Sequence, residues 1–215
     1  MGHCREFGDG VLQRGVTVPE SEFFPEGYSG SEDDVRVVFG AVCGVMGVAP
    51  ERMVLEVEAE EPDEWLRSLP AMHYESSGAA GHWQRRGGRT VVTVQLRQAR
   101  EPIALVATIA HELGHERLLG EGRIEYERKD GEPLTDLCSV FFGMGIFAAN
   151  AAFEFHRSDT HYGTTRLGYL TEPMYGYALA RYAWLRGESS PGWAKYLDVN
   201  PRTWMKQGLR YLEAV

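Results

Sequence analysis

The stretch from Pro102 to Gly120 constrains the fold more than any other part of the chain. It reads PIALVATIAHELGHERLLG, with a proline that a first helical residue tolerates and a glycine where helices commonly end. Its first two turns are apolar on every side, so a helix formed here has to be buried along its N-terminal half. Two histidines and a glutamate follow inside the same helix, and burying such groups is costly unless they are paired or bind a metal ion.

The sequence HELGH places His111, Glu112 and His115 in this predicted helix. Residues four apart share one helix face, so both imidazoles can reach a single metal ion while the carboxylate projects beside them. A chain of this composition is expected to contain roughly 0.02 occurrences of the HExxH pattern by chance. The motif therefore predicts a metal site with His111 and His115 as ligands, at the spacing used in metal-assisted hydrolysis.

A catalytic zinc site usually has three protein ligands and one position left for water, so a third ligand is needed. Asp130, Glu132 and Asp136 are the nearest downstream carboxylates. We favour Asp136, because it is the only charged side chain in residues 134–153 and lies in the first turn of the next predicted helix, where the helix dipole stabilises a carboxylate. Glu132 is the alternative ligand, and helix capping is the alternative role of Asp136.

Periodicity along the rest of the chain predicts an α+β fold with a small mixed or antiparallel sheet and a largely helical C-terminal part. An edge strand of this sheet is expected to pack on the HExxH helix. The predicted strands cover residues 53–60, 78–83 and 90–98, the last as the edge, and the predicted helices begin near residues 31, 102, 133, 172 and 200. Gly143 lies on a stripe of small and polar residues that starts at Asp136, and we expect it to let the helix of residues 133–155 approach the HELGH helix closely.

Length and local composition predict one domain with an N-terminal extension. At about 150 residues per domain, 215 residues give one core with additions. Residues 1–30 carry scattered glycines and prolines without periodicity, so we expect an irregular arm there and a single domain over residues 31–215. We also consider the hypothesis that this arm covers the cleft.

Charge and cysteine content narrow the partners and the compartment. A net charge of -9 has the wrong sign for neutralising phosphates, so we expect no nucleic-acid partner. Cys4, Cys43 and Cys138 are few and widely spaced, and the first residues lack the apolar run of a secretory signal. Residues 134–153 reach the length of a membrane span but contain Ser139, Asn150 and one acid. We therefore expect a cytoplasmic protein with free thiols that does not insert into a membrane.

The order of these elements resembles the zincin metallopeptidases. Within that class, AAGHW (residues 79–83), TVVTVQL (residues 90–96) and ATIAHELGH (residues 107–115) are similar to the compact minigluzincins and the ImmA/IrrE group of intracellular metallopeptidases. The segment LTDLCSVFFGMGIF (residues 134–147) resembles the one that supplies their third ligand, usually a glutamate, with Asp136 at the matching place. The resemblance covers roughly residues 33–155.

This resemblance implies a peptidase with one zinc ion per chain, bound by His111, His115 and Asp136. Glu112 would be the general base that takes a proton from a metal-activated water, and a peptide or protein would be the substrate, held by backbone pairing to the edge strand. The alternative is a metal-binding regulatory or partner-binding module of the same fold without peptidase activity. Candidates for stabilising an oxyanion are His156, His161, Tyr162, Tyr169 and Tyr175.

Overall fold

The computed structural model describes residues 7–59, 81–158 and 168–214. For Asp9 and for residues 153–158 it describes the backbone but not the side chains. These ranges form a mixed α+β fold with a small sheet and mostly helical content, in agreement with the predicted fold class. The strands are β1 (Met53–Glu58), β2 (Gly81–Arg86) and β3 (Arg89–Gln95), and the helices are α1 (Glu32–Met46), α2 (Pro102–His115), α3 (Gly131–Ser139), α4 (Gly145–Ser158), α5 (Glu172–Leu185) and α6 (Val199–Ala214).

Helix boundaries follow signals that are visible in the sequence. Ser31 caps α1, since its hydroxyl accepts a hydrogen bond from the Asp34 N–H while the Asp34 carboxylate accepts one from the Ser31 N–H. Pro102 is the first residue of α2, and Thr171 directly precedes α5. Signals in the local sequence therefore mark the start of each of these three helices, and Ser31 adds a capping interaction.

The strand order in the sheet is β1-β3-β2. β2 and β3 form the predicted antiparallel hairpin, with Trp83 opposite Val92, and β1 pairs with the other side of β3 in parallel, with Leu55 opposite Val92. The prediction that residues 90–98 form the edge strand is therefore wrong, because both sides of β3 are occupied. Among the described residues, β2 is the edge of the sheet nearest to the HExxH helix.

Helix α2 is the central element of the core. It packs against α1, α3 and α4 and against strands β2 and β3. All residues from Ala104 to Ala110 are buried, as the apolar run predicted. The helix continues through one wide π-helical turn, Glu116–Gly120, before the chain leaves the core.

The close approach between α2 and α3 occurs at Gly114, inside the HELGH motif. A Cβ atom at Gly114 would lie 2.8 Å from Cγ2 of Thr135, so any larger residue would push the helices apart. The Ser139 hydroxyl crosses the same contact and donates a hydrogen bond of 3.1 Å to the Ala110 carbonyl. The expectation that Gly143 provides this approach is therefore corrected.

Gly143 instead breaks the long helix that was predicted over residues 133–155. Its φ of 87° lies in the left-handed region, so the chain kinks between α3 and α4 within a π-helical turn, Val140–Met144. The Gly143 carbonyl accepts a hydrogen bond of 3.1 Å from the Thr17 N–H. The N-terminal arm therefore contacts the chain at this kink. Helix α2 packs against both α3 and α4, the helices on either side of the kink.

In the described part of the chain, one helical stretch is long and apolar enough to cross a membrane. It spans the 22 residues Gly131–Ala152, and its most apolar window of 18 residues has a mean hydropathy of 1.4. In the fold, 89% of its most apolar window is buried, and the kink at Gly143 interrupts it. Helices in the core of a folded protein can have this same length, composition and burial.

Residues 7–30 of the arm contain two short 3-10 turns, Asp9–Val11 and Ser21–Phe23. Val11 and Leu12 are buried, and the Tyr28 hydroxyl donates a hydrogen bond of 2.8 Å to the Ala99 carbonyl. None of the described arm residues lines the cavity at the HELGH motif. For residues 7–30, the hypothesis that the arm covers the cleft is therefore wrong.

Candidate metal centre

His111 and His115 lie on one face of α2, at its C-terminal end. Their side chains are 16% and 12% exposed, and their rings are perpendicular with centroids 4.8 Å apart. The i, i+4 spacing therefore brings the two imidazoles to one point, as the motif predicted.

Glu132, the second residue of α3, completes this group. Its Oε2 atom lies 3.2 Å from Nε2 of His111 and 3.3 Å from Nε2 of His115. The two histidines lower the pKa of Glu132 to about 2 through these hydrogen bonds. Within the described ranges, these three residues form the group of possible metal ligands, with all ligand atoms within 4.8 Å of one another.

Asp136, the third ligand favoured from the sequence, lies on the opposite side of the His111 ring and is not part of this group. Its Oδ1 atom accepts a hydrogen bond of 2.8 Å from Nδ1 of His111, while Nε2 of the same ring faces Glu132. Because α3 begins at Gly131, Glu132 falls in the first turn beside both rings, and Asp136 lies one turn deeper.

The Asp136 carboxylate is buried, with its residue 2% exposed, and it has a full set of donors. Besides His111, it accepts the N–H groups of Tyr169 at 2.6 Å and Leu170 at 3.0 Å, and it is hydrogen-bonded to the hydroxyl of Tyr175. A buried carboxylate is tolerated when it is satisfied in this way. Asp136 is thus suited to fixing the orientation and the tautomer of the His111 ring.

Glu112 projects from α2 toward the start of β2. The residue is 5% exposed, and burial raises the pKa of its carboxyl group above the ordinary value, against the effect of the nearby histidines. A Cβ atom at Gly81 would lie 2.9 Å from Oε1 of Glu112, so the edge strand passes directly over this carboxylate because the residue there is glycine. A raised pKa brings a carboxylate closer to the range of an effective general base.

A cavity of about 320 Å³ opens at these side chains. Its walls include His82 and Trp83 of the edge strand, Tyr126, and Tyr169 from the segment before α5. The Trp83 ring lies near His115 with a centroid distance of 6.1 Å, and the Tyr126 ring follows at 5.9 Å from Trp83. Sequence reasoning missed Trp83 and Tyr126, although the GHW segment of the hairpin carries the first of them beside the motif.

Among the candidates for stabilising an oxyanion, the structure places Tyr169 and Tyr175 in the cavity wall, and Tyr169 is the exposed one. Its ring stacks on His111 with centroids 5.9 Å apart and planes 20° apart, and the residue is 55% exposed. Tyr175 also contacts the cavity but is 2% exposed and hydrogen-bonded to Asp136. His161, Tyr162 and the side chain of His156 lie outside the described residues.

The donor set fits a divalent transition metal ion. Two imidazole nitrogens and one carboxylate oxygen, arranged around one point at the edge of an open cavity, form a set of three ligands that leaves a further coordination position free. A neutral imidazole binds a metal through the nitrogen that carries no proton, and His111 directs its Nδ1 toward a carboxylate. The residues can therefore hold a metal ion.

Comparison with protein-family models, with curated proteins and with solved structures finds no match for this chain.

Proposed function

We propose that this protein is a zinc-dependent metallopeptidase. The observation that carries the proposal is the joint placement of His111, His115 and Glu132 around one point, with the buried carboxylate of Glu112 beside them in the same cavity. A site that only stabilised the fold would have no use for an adjacent buried base or for an open cleft. Both features support hydrolysis as the function.

In the proposed reaction, each of these side chains has one task. A bound zinc ion supplies Lewis acidity, which lowers the pKa of water to about 7 and polarises a carbonyl group. His111, His115 and Glu132 hold the ion, and Asp136 keeps the His111 ring in place. Glu112 accepts a proton from the attacking water as the new C–O bond forms, and then passes it to the leaving amine as the peptide C–N bond breaks.

The substrate proposed for this site is an extended peptide bound along β2. Among the described residues, β2 pairs with β3 on one side only, so the backbone groups of its other side can pair with an added strand. Gly81 and Trp83 of this strand line the cavity that contains Glu112. Backbone pairing at β2 would therefore lay the scissile bond across the metal site.

Metal dependence of cleavage is the direct test of this proposal. Purified protein is expected to contain about one zinc per chain and to cleave members of a library of fluorogenic peptides. Removal of the metal with a chelator should abolish cleavage, and re-addition of one equivalent of zinc should restore it. Stoichiometric zinc without cleavage of any peptide or protein would overturn the peptidase proposal in favour of a metal-binding module.

Tyr169 is proposed as the residue that stabilises the developing oxyanion, because its ring lies against His111 on the cavity wall. Replacing it with phenylalanine keeps the ring and removes the hydroxyl donor, so kcat is expected to fall by about 100-fold with little change in KM or zinc content. Steady-state kinetics of Tyr169→Phe would measure this effect. Tyr211→Phe, an exposed tyrosine on α6, is the matched control, and equal rates for both variants would contradict the assignment.

A further inference from the structure

His115 has a contact at its second ring nitrogen that parallels the contact of His111. Oγ1 of Thr135 lies 3.4 Å from Nδ1 of His115, and Thr135 directly precedes Asp136, which holds Nδ1 of His111. Thr135 is 1% exposed, so this contact is shielded from solvent. Two consecutive residues of α3 thus face the Nδ1 atoms of the two histidines.

The direction of the Thr135 contact follows from the single proton of its hydroxyl group. That proton is used in a hydrogen bond of 2.9 Å to the Gly131 carbonyl, so a lone pair of Oγ1 faces His115. The ring can satisfy this lone pair only by carrying its proton on Nδ1. The lone pair of Nε2 then points to the side where Glu132 lies, as a metal ligand requires.

Packing keeps the Thr135 side chain in this orientation. Its Cγ2 methyl group occupies the space opposite Gly114, where an added Cβ atom would lie 2.8 Å from that methyl group. A β-branched side chain in a helix has few accessible rotamers, and rotation about χ1 would bring another group into this narrow gap. The methyl group and the hydrogen bond to the Gly131 carbonyl therefore favour the same rotamer, which aims the hydroxyl group at His115 and which a serine can keep through the hydrogen bond alone.

We propose that Thr135 is the positioning residue of His115 and sets its tautomer and ring orientation for metal binding. The inference rests on the metal site of the proposed function and not on peptidase activity. Thr135 touches neither substrate nor metal in this role and acts through the imidazole.

Zinc affinity, measured by competition with a chromophoric chelator, tests the role of Thr135 on the full chain. Thr135→Val removes the hydroxyl group and keeps the branched shape, and its Kd for zinc is expected to rise by about 10- to 100-fold. Thr135→Ser keeps the hydroxyl group and is expected to stay within about threefold of the original protein. Thr93→Val, which makes the same change at a buried threonine of β3 outside the cavity, is the matched control with unchanged affinity.

Two further comparisons make the result decisive. Thr135→Ala and Thr135→Ser both lack the methyl group and differ only in the hydroxyl group, so this pair replaces the valine variant if that variant does not fold. In the zinc-loaded protein, the Nδ1 proton of His115 is expected to exchange slowly with solvent when residue 135 carries a hydroxyl group and rapidly when it does not, as followed by NMR. Equal zinc affinities and equal exchange rates across the set would overturn the proposal.

The outcomes also separate this inference from the proposed function. An original protein that binds no zinc would refute both the metal site and the role of Thr135. An original protein that binds zinc but cleaves no peptide would refute only the peptidase, and the affinity differences among the Thr135 variants would still decide the positioning role.

Discussion

Glu132→Gln is expected to lose stoichiometric zinc, with a Kd that rises by about 1000-fold or more, because the change replaces an anionic ligand by a neutral amide. Asp136→Asn is expected to weaken binding by only about 10- to 100-fold and still to reach one zinc per chain at saturation, because Asp136 acts through His111. Elemental analysis and competition with a chelator would measure both effects. The two variants thus distinguish a direct ligand from a residue that orients a ligand.

Asp130→Asn provides the matched control for these two variants. Asp130 precedes α3, its side chain is 61% exposed, and it pairs with Arg128, so its loss should leave zinc affinity unchanged. Thermal unfolding of each variant without metal separates weak binding from misfolding. Zinc retained by Glu132→Gln and lost by Asp136→Asn would reverse the assignment and restore Asp136 as the third ligand.

The sequence predicted the part of the site that one helix determines. His111 and His115 are four residues apart, so helical geometry alone brings their rings together, and the apolar run before them predicted a buried helix. The choice between Glu132 and Asp136 depends on where α3 begins and how it crosses α2. The crossing is set by Gly114, Thr135 and Ser139 in three dimensions, and no local pattern in the sequence reports it.

The position of the edge strand likewise depends on contacts between residues that are distant in the sequence. The turn at Gly87-Gly88 and the alternation on either side predicted the hairpin of β2 and β3, since both signals are local. The parallel partner β1 is distant in the sequence, so its side of the sheet could not be predicted from the hairpin. The observed order moves the edge from β3 to β2, and it is β2 that passes over Glu112 through Gly81.

Gly143 illustrates a third kind of limit. A glycine inside an apolar run reads equally as a small residue at a helix crossing or as a site of positive φ. The φ of 87° and the contact with Thr17 and Gly15 of the arm distinguish the two, because they show that the chain kinks here and accommodates another segment. Residues far apart in sequence therefore decide the role of this glycine.

Glu112→Gln is expected to lower kcat by about 100- to 10,000-fold while the protein still binds one zinc per chain. The amide has the size of the carboxylate but cannot accept the proton of the attacking water, and general base catalysis contributes about 100- to 10,000-fold to such reactions. Peptide cleavage by the zinc-loaded variant, with zinc content measured on the same sample, would test this expectation. Asp130→Asn, an acid-to-amide change outside the cavity, should keep the original rate.

Stability provides an independent measure of the role of Glu112. Burial raises the pKa of its carboxyl group in the folded protein, so at neutral pH the ionised form is less favourable in the native state than in the unfolded chain. The neutral amide avoids this cost, and Glu112→Gln without metal is therefore expected to unfold at the same temperature as the original protein or at a higher one. A variant that is catalytically dead yet at least as stable would mean that Glu112 is maintained for chemistry. A marked loss of stability, with zinc binding lost as well, would mean that this carboxylate serves the fold.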